Sequence, residues 1–162
     1  TFWLSDTPNI ISVGWDASME RICTYALFED KKSKRKFYVF NTHFDHIGVI
    51  ARKKSAQLII DYVNSLNENN FPVFITGDFN LNDDSDPIIL IQKTFDDSNI
   101  NLNKEDKLYN TFTEFKNDVI NPRRIDYIFY SNIEMVSSTH VHLKTKGKRW
   151  ASDHHPVIAI FN

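Results

Sequence analysis

The sequence predicts a mixed α/β (α+β) fold built on a packed pair of sheets. Three observations carry that reading. Strand-like and helix-like segments alternate in the first half of the chain. Strand-like segments crowd together in the second half. Between them lies a short, nearly all-apolar strand, the pattern of a strand covered on both faces.

Each element follows from local pattern. Arg21–Phe28 alternates apolar and polar residues as a half-buried strand does, and Phe37–Phe40 is an aromatic strand. The polar stretch between them, Glu29 to Lys36, makes the pair a hairpin whose basic tip reads as a solvated turn. Ile50, Ala56, Ile59, Ile60, Val63 and Leu66 recur at helical spacing and predict an amphipathic helix over about 49–67, ended by Asn69-Asn70. Pro72–Thr76 is the buried strand. Asp86-Pro87 reads as an N-cap followed by proline at the first helical position, opening a helix through about Phe95. Residues 96–123, rich in Asn, Asp and Lys, read as a long loop with one aromatic knot at Thr111–Phe115. Ile125–Tyr130, Met135–Leu143 and Val157–Phe161 complete the set of strands.

Composition narrows the class. The 162 residues fit one domain, and 41% hydrophobic content with 14% aromatics supports a sizeable core. A formal net charge of -2 gives no global basic field for nucleic acid, so any basic patch is local. The single Cys23 excludes an internal disulfide and a multi-cysteine zinc site, and its place in an alternating run predicts a buried small side chain. No apolar stretch is long enough for a membrane-spanning segment. Thr1-Phe2-Trp3-Leu4 reads as the middle of a strand, which predicts an N-terminally trimmed domain.

The chemistry concentrates at strand ends. Asn41-Thr42-His43, Gly77-Asp78-Phe79-Asn80, Arg124-Ile125-Asp126-Tyr127 and Ser152-Asp153-His154 each adjoin an apolar run. They supply carboxylates for a hard cation and a water, with Asn and His to hydrogen-bond phosphate oxygens. Asp78 follows a buried strand and a glycine, where a carboxylate is costly unless it is functional or paired. Asn80 points to the same side if the backbone stays extended. Asp126, in an apolar strand, needs a partner, and His154 is the natural one, although an ion pair with Arg123 or Arg124 competes. His154 and His155 face opposite ways on an extended backbone, so only one serves the site. His46 is a weaker candidate than His43, since Asp45 and His46 also suit capping of the next helix. Lys144, Lys146, Lys148 and Arg149 suit either substrate phosphates or a solvated loop. Trp3, Trp15, Phe115 and Trp150 suit either a pocket or packing.

The four motifs stand in the order and approximate spacing of the endonuclease/exonuclease/phosphatase superfamily, and the chain resembles that family. Arg21-Ile22-Cys23 is similar to its upstream Arg-bearing strand, and Phe2–Ser5 with Gly14–Ala17 is similar to a bacterial branch. The resemblance implies a four-layer α/β/β/α sandwich of the DNase I-like type, with the site at one end of two sheets. It implies that Asp78 orients or deprotonates water, Asn80 and His43 contact the phosphate, and Asp153 sits with Asp78 at the metal. It further implies that His154, paired with Asp126, stabilises the transition state. Arg21, His46, Arg124 and Trp150 are then the substrate contacts. Mg²⁺ or Mn²⁺ is the expected cofactor, since the ligands are oxygens. The substrate is a phosphate ester, whether nucleic acid, sugar phosphate or phospholipid head group. The inositol 5-phosphatase branch is disfavoured, because Arg124-Ile125-Asp126 lacks its Cys-Asp-Arg string.

One departure matters. Nothing before Arg21 matches the Asn and metal-binding Glu of the family's first strands; Asp6 and Asp16 stand in the wrong context. The chain therefore resembles roughly the last three-fifths of the family domain. Two readings follow: a metal-dependent phosphoesterase, or a non-catalytic fragment or binding module of the same fold with an incomplete metal site.

Overall fold

The computed structural model describes residues 1–162. Its strands are β1 (Phe2–Trp3), β2 (Ile22–Glu29), β3 (Lys36–His43), β4 (Val73–Asp78), β5 (Asp96–Asp97), β6 (Asp126–Ser131), β7 (Met135–His140) and β8 (Val157–Phe161). Its helices are α1 (Val49–Leu66) and α2 (Asp86–Gln92). Six strands form one sheet in the order β1-β2-β3-β4-β6-β5, and β7 pairs with β8 in a second. The β3–β4 pair is parallel, with α1 as the crossover, and the other pairs are antiparallel.

The large sheet is covered on both sides. Ala56, Ile59, Ile60 and Val63 of α1 and Ile88 and Ile91 of α2 share one buried cluster with Phe40, Val73, Ile75 and Phe129 of the sheet. On the other face Phe161 of β8 packs edge-on against Phe74, ring centroids 4.8 Å apart, and against Tyr130 at 5.0 Å. This is why Val73-Phe74-Ile75 is apolar without alternation: successive residues meet different layers. Cys23 is fully buried as expected, and burial pushes its thiol up to about 12. No helix is long and apolar enough to cross a membrane.

Several bounds differ from the sequence reading. β3 runs on to His43 and β4 to Asp78, because pairing continues past the apolar residues. Gly77 makes that extension possible: at φ 146° it passes so close to β3 that a Cβ would lie 1.9 Å from the Thr42 carbonyl oxygen. Ser85 is the N-cap of α2 with Pro87 in the first turn, and the helix stops at Gln92 as Lys93 and Thr94 switch to i→i−3 bonds. The loop after α2 begins with a strand, β5, added to the edge of β6. β7 ends at His140: Val141 donates to the carbonyl of Pro156, which has no N–H to return.

Helix α1 is capped from afar. Gly48 offers no side chain, but Asp45 Oδ2 accepts the N–H groups of Ile47 and Gly48 at 2.9 and 2.7 Å. Asp16 accepts those of Ile50 and Ala51 at 3.1 and 2.7 Å. Two first-turn donors and the two N–H groups just before the helix are thereby satisfied by carboxylates, which also suit the positive end of the helix dipole. Ile50, expected on the buried face, is 54% exposed. The hairpin tip is solvated: Asp30 binds the backbone N–H of Lys32 and Ser33, and Lys31, Lys32 and Lys34 are exposed.

Candidate active site

Strand register assembles the site. His43 is opposite Asp78 in the β3–β4 pair, and Asp78 is opposite Asp126 in the β4–β6 pair. Three neighbouring strands thus end on an imidazole and two carboxylates side by side. The segment before β8 brings His154 to the same place.

The contacts form a chain. His43 Nε2 lies 3.3 Å from Asp78 Oδ2. His154 Nε2 lies 3.9 Å from the same oxygen, and His154 Nδ1 is 2.8 Å from Asp126 Oδ2. Burial raises the Asp78 carboxyl above its ordinary value; the Asn80 N–H opposes this and the Asp126 charge adds to it. The hydrogen bond to Asp126 raises His154 against the opposing effect of burial. Burial lowers His43, with the Asp78 charge pulling the other way. The site therefore holds one imidazole inclined to carry a proton and another inclined to stay neutral.

A clip holds Asp126 and His154 at this separation. The Thr111 hydroxyl accepts the backbone N–H of Ile125 at 2.9 Å and of Asp126 at 3.2 Å. The Thr111 carbonyl accepts the His155 N–H at 2.7 Å, and Thr113 donates its N–H and hydroxyl to the Asp153 carbonyl at 2.7 and 3.0 Å. Phe112, between them, packs on the His154 ring at 4.8 Å. Sequence pattern pointed to an aromatic knot here, but nothing in it marks the two threonines as the clip.

Asn80 departs from the extended backbone that would have aligned it with Asp78. It sits at φ 53°, which returns its N–H to Asp78 Oδ1 at 2.8 Å and sends Nδ2 to the Phe44 carbonyl at 3.0 Å. One amide hydrogen and the amide oxygen remain free of those two bonds. Arg21 lies beside Asp45, its Nε 3.6 Å from Oδ1, and its guanidinium is 3.2 Å from His46 Nδ1.

Arg124 is not where a substrate contact belongs. It is 1% exposed, bonded to Asp97 and to the Asn99 carbonyl, with its guanidinium over Tyr127. Arg124 precedes β6 and turns into the protein to meet Asp97, while Asp126 pairs with His154 rather than with an arginine. Trp150 braces a loop: its indole N–H donates to the Lys116 carbonyl at 2.9 Å, its ring meets His155, and Lys144 stacks above it. His155 is buried against His142, and burial with the nearby histidines lowers it to about 4.

Ligand atoms of Asp78, Asp126 and His154 lie within 4.8 Å of one another, close enough to hold a metal ion. This set differs from the expected pair of Asp78 and Asp153: the Asp153 carboxylate lies outside it, with Ser152 Oγ 3.4 Å away. Two carboxylates near each other, one of them raised by burial, fit a divalent cation that would relieve their repulsion.

The helix layer, the paired sheets and this cluster at the strand ends are those of the DNase I-like layered fold. The chain belongs to the Endonuclease/Exonuclease/phosphatase family, whose sequence pattern matches residues 8–154. It is similar in structure to the Bacteroides thetaiotaomicron mannosyl-6-phosphatase Bt3783, with a TM-score of 0.88, 32% identity and 99% of this chain covered. A Bacteroides vulgatus endonuclease/exonuclease/phosphatase is similar at a TM-score of 0.86, 32% identity and 99% of this chain. In sequence it is 34% identical over 109 residues, or 65% of its length, to the uncharacterized protein L388 of Acanthamoeba polyphaga mimivirus. The chain spans 64% and 63% of the two bacterial structures and 40% of the viral protein.

Proposed function

We propose that this chain carries the catalytic centre of a divalent-metal-dependent phosphoesterase. The observation that supports it best is the linked row His43–Asp78–His154–Asp126, two carboxylates and two imidazoles converging where three strands end. Asp78 and Asp126 are the residues that would hold Mg²⁺ or Mn²⁺. When bound, such an ion polarises phosphoryl oxygens and offsets charge in the transition state.

The protein's own groups have separate tasks. Asp78, raised by burial, orients the attacking water and takes its proton. The water oxygen forms the new bond to phosphorus, the bond from phosphorus to the ester oxygen breaks, and that oxygen takes a proton from solvent. Asp126 accepts the Nδ1 proton of His154 and favours its imidazolium form, in which Nε2 also carries a proton, facing the phosphoryl oxygens. His43 and the free amide hydrogen of Asn80 bind the remaining oxygens, and Arg21 and His46 stand alongside.

The test is hydrolysis of a panel of phosphomonoesters and phosphodiesters by the protein with any flanking sequence its gene encodes. Mg²⁺- or Mn²⁺-dependent turnover that EDTA removes is the expected result. Folded protein that binds phosphate esters but turns none over supports the alternative, a binding module of the same fold.

A further inference from the structure

We infer that the end of the protein bearing the candidate active site docks onto an anionic lipid bilayer, with aliphatic side chains entering the boundary layer and lysines meeting the lipid head groups. The docking does not depend on the phosphoesterase reading. His43, Asp78 and Asp126 stand in register at one end of the large sheet. The connections β1–β2 and β3–α1 and the segment before β6 lie at that end, and the β7–β8 connection reaches it through His154. Exposed apolar side chains gather on these connections and on the first turn of α1: Ile11, Ile47, Val49, Phe115, Ile120 and Leu143. Ile120 is 92% exposed and Leu143 76%. Isolated exposed residues of this kind need no explanation, but a set collected at one end marks an interaction surface.

These residues form two banks with the site between them. One bank joins the β1–β2 connection to the start of α1, where Asp16 Oδ1 accepts the Ala51 N–H at 2.7 Å. Ile47 in this bank directly follows His46. The other bank joins the loop before β6 to the β7–β8 connection. There Trp150 Nε1 donates to the Lys116 carbonyl at 2.9 Å, and Lys144 Nζ donates to Asn117 Oδ1 at 2.6 Å. Phe112 of that loop rests on the His154 ring. Backbone geometry presents this second bank outward. Phe115 is held at φ 61°, an outlier for a bulky residue, although it is largely exposed. Lys148, at φ 58°, closes a tight turn by donating its N–H to the Thr145 carbonyl at 2.8 Å.

Charge selects the partner. Residues 141–152 hold Lys144, Lys146, Lys148 and Arg149 and no acid, in a chain whose net charge is -2. Lys144 bonds the neutral Asn117, and Lys146, Lys148 and Arg149 are exposed. In the facing loop Glu114 is paired with Lys116. Aliphatic tips beside a cationic rim suit a bilayer, because apolar burial and attraction to anionic lipid act together. A nucleic acid would use the cations but not the isoleucines, which offer no face for a base to stack on. The Trp150 ring is already covered by Lys144 and His155. Docked in this way, the protein sets its row of histidines and carboxylates against the head-group layer.

The experiment is flotation of the protein, with any flanking sequence its gene encodes, on vesicles of phosphatidylcholine alone and on vesicles with about 30 mol% phosphatidylserine as the anionic lipid. The protein should float with the anionic vesicles, far less with the neutral ones, and less again as salt rises. Lys146→Ala combined with Lys148→Ala should weaken binding roughly 30-fold, the joint effect of two lysines lost from an anionic surface. Ile47→Ser combined with Ile120→Ser should weaken it about tenfold through lost apolar burial, with the melting temperature unchanged. No flotation with anionic vesicles, equal flotation with both kinds, or unaltered binding by either double variant would overturn the inference. A lowered melting temperature in the isoleucine variant would show that the protein itself covers these side chains. A dimer that this variant dissociates, read by light scattering, would show that a second copy does. Tighter binding to a single-stranded oligonucleotide than to the vesicles would make the cations a nucleic-acid contact. Each of these three results also overturns it.

Discussion

Asp126 Oδ2 and His154 Nδ1 lie 2.8 Å apart, and this contact turns the opposite nitrogen of the same ring toward Asp78, 3.9 Å away. One carboxylate thus orients the imidazole while the other faces its working edge. Replacing Asp126 by Asn should lower kcat by roughly 10–100-fold with a smaller change in KM, because the ring loses its orientation rather than a substrate contact. The loss should be less than for His154→Ala. A lowered melting temperature with an unchanged kcat in the folded fraction would mean that Asp126 is only structural.

Thr111 should act through the same pair. Thr111→Val keeps the shape but leaves the N–H groups of Ile125 and Asp126 without their acceptor, at a cost of about 1–3 kcal/mol for a buried unsatisfied group. Stability and kcat should both fall, and Thr111→Ser should restore both. The strongly deshielded Nδ1 proton of His154, followed by NMR, should weaken in the Val variant and persist in the Ser variant. An unaltered resonance in Thr111→Val would remove the clip from the account.

Asp45 sets an acid limit on the fold. Burial alone would raise its carboxyl, but hydrogen bonds from Gly48, Ser18 and Ile47 outweigh this and hold it well below the usual carboxylate range. A depressed folded-state value stabilises the protein above the unfolded value, about 3.9, and that contribution is lost as pH falls toward the folded one. Asp45→Asn should therefore lower the melting temperature clearly at pH 7 and progressively less below about pH 4. A difference that stays constant with pH would show that the charge of Asp45 does not matter.

Arg124 should be a stability residue. Arg124→Ala leaves Asp97 buried without its partner, which costs about 3–5 kcal/mol. The double change Arg124→Leu with Asp97→Leu should recover part of the loss, as measured by urea unfolding. Full stability in Arg124→Ala would contradict the buried pair.

These cases show what the sequence made legible. The hairpin, α1 and the apolar β4 were readable because their periodicity is local. His43, Asp78, Asp126 and His154 were readable because each adjoins a strand, and register alone then gathers them. What escaped depends on distant contacts. Asp16 caps a helix more than thirty residues away, β5 exists only as an edge of β6, and Arg124 turns inward to meet Asp97. The αL turn at Asn80 escaped because Asn occupies either conformation readily, and its bonds to Asp78 and to the distant Phe44 carbonyl select one.

The most direct test of the central claim is the steady-state rate of Mg²⁺-dependent phosphate-ester hydrolysis by Asp78→Asn beside the unaltered protein, at matched concentration of folded protein. The account predicts an intact fold and a rate lower by at least ~10²-fold, the scale of losing a positioned proton acceptor. A rate close to that of the unaltered protein at saturating Mg²⁺ would contradict it.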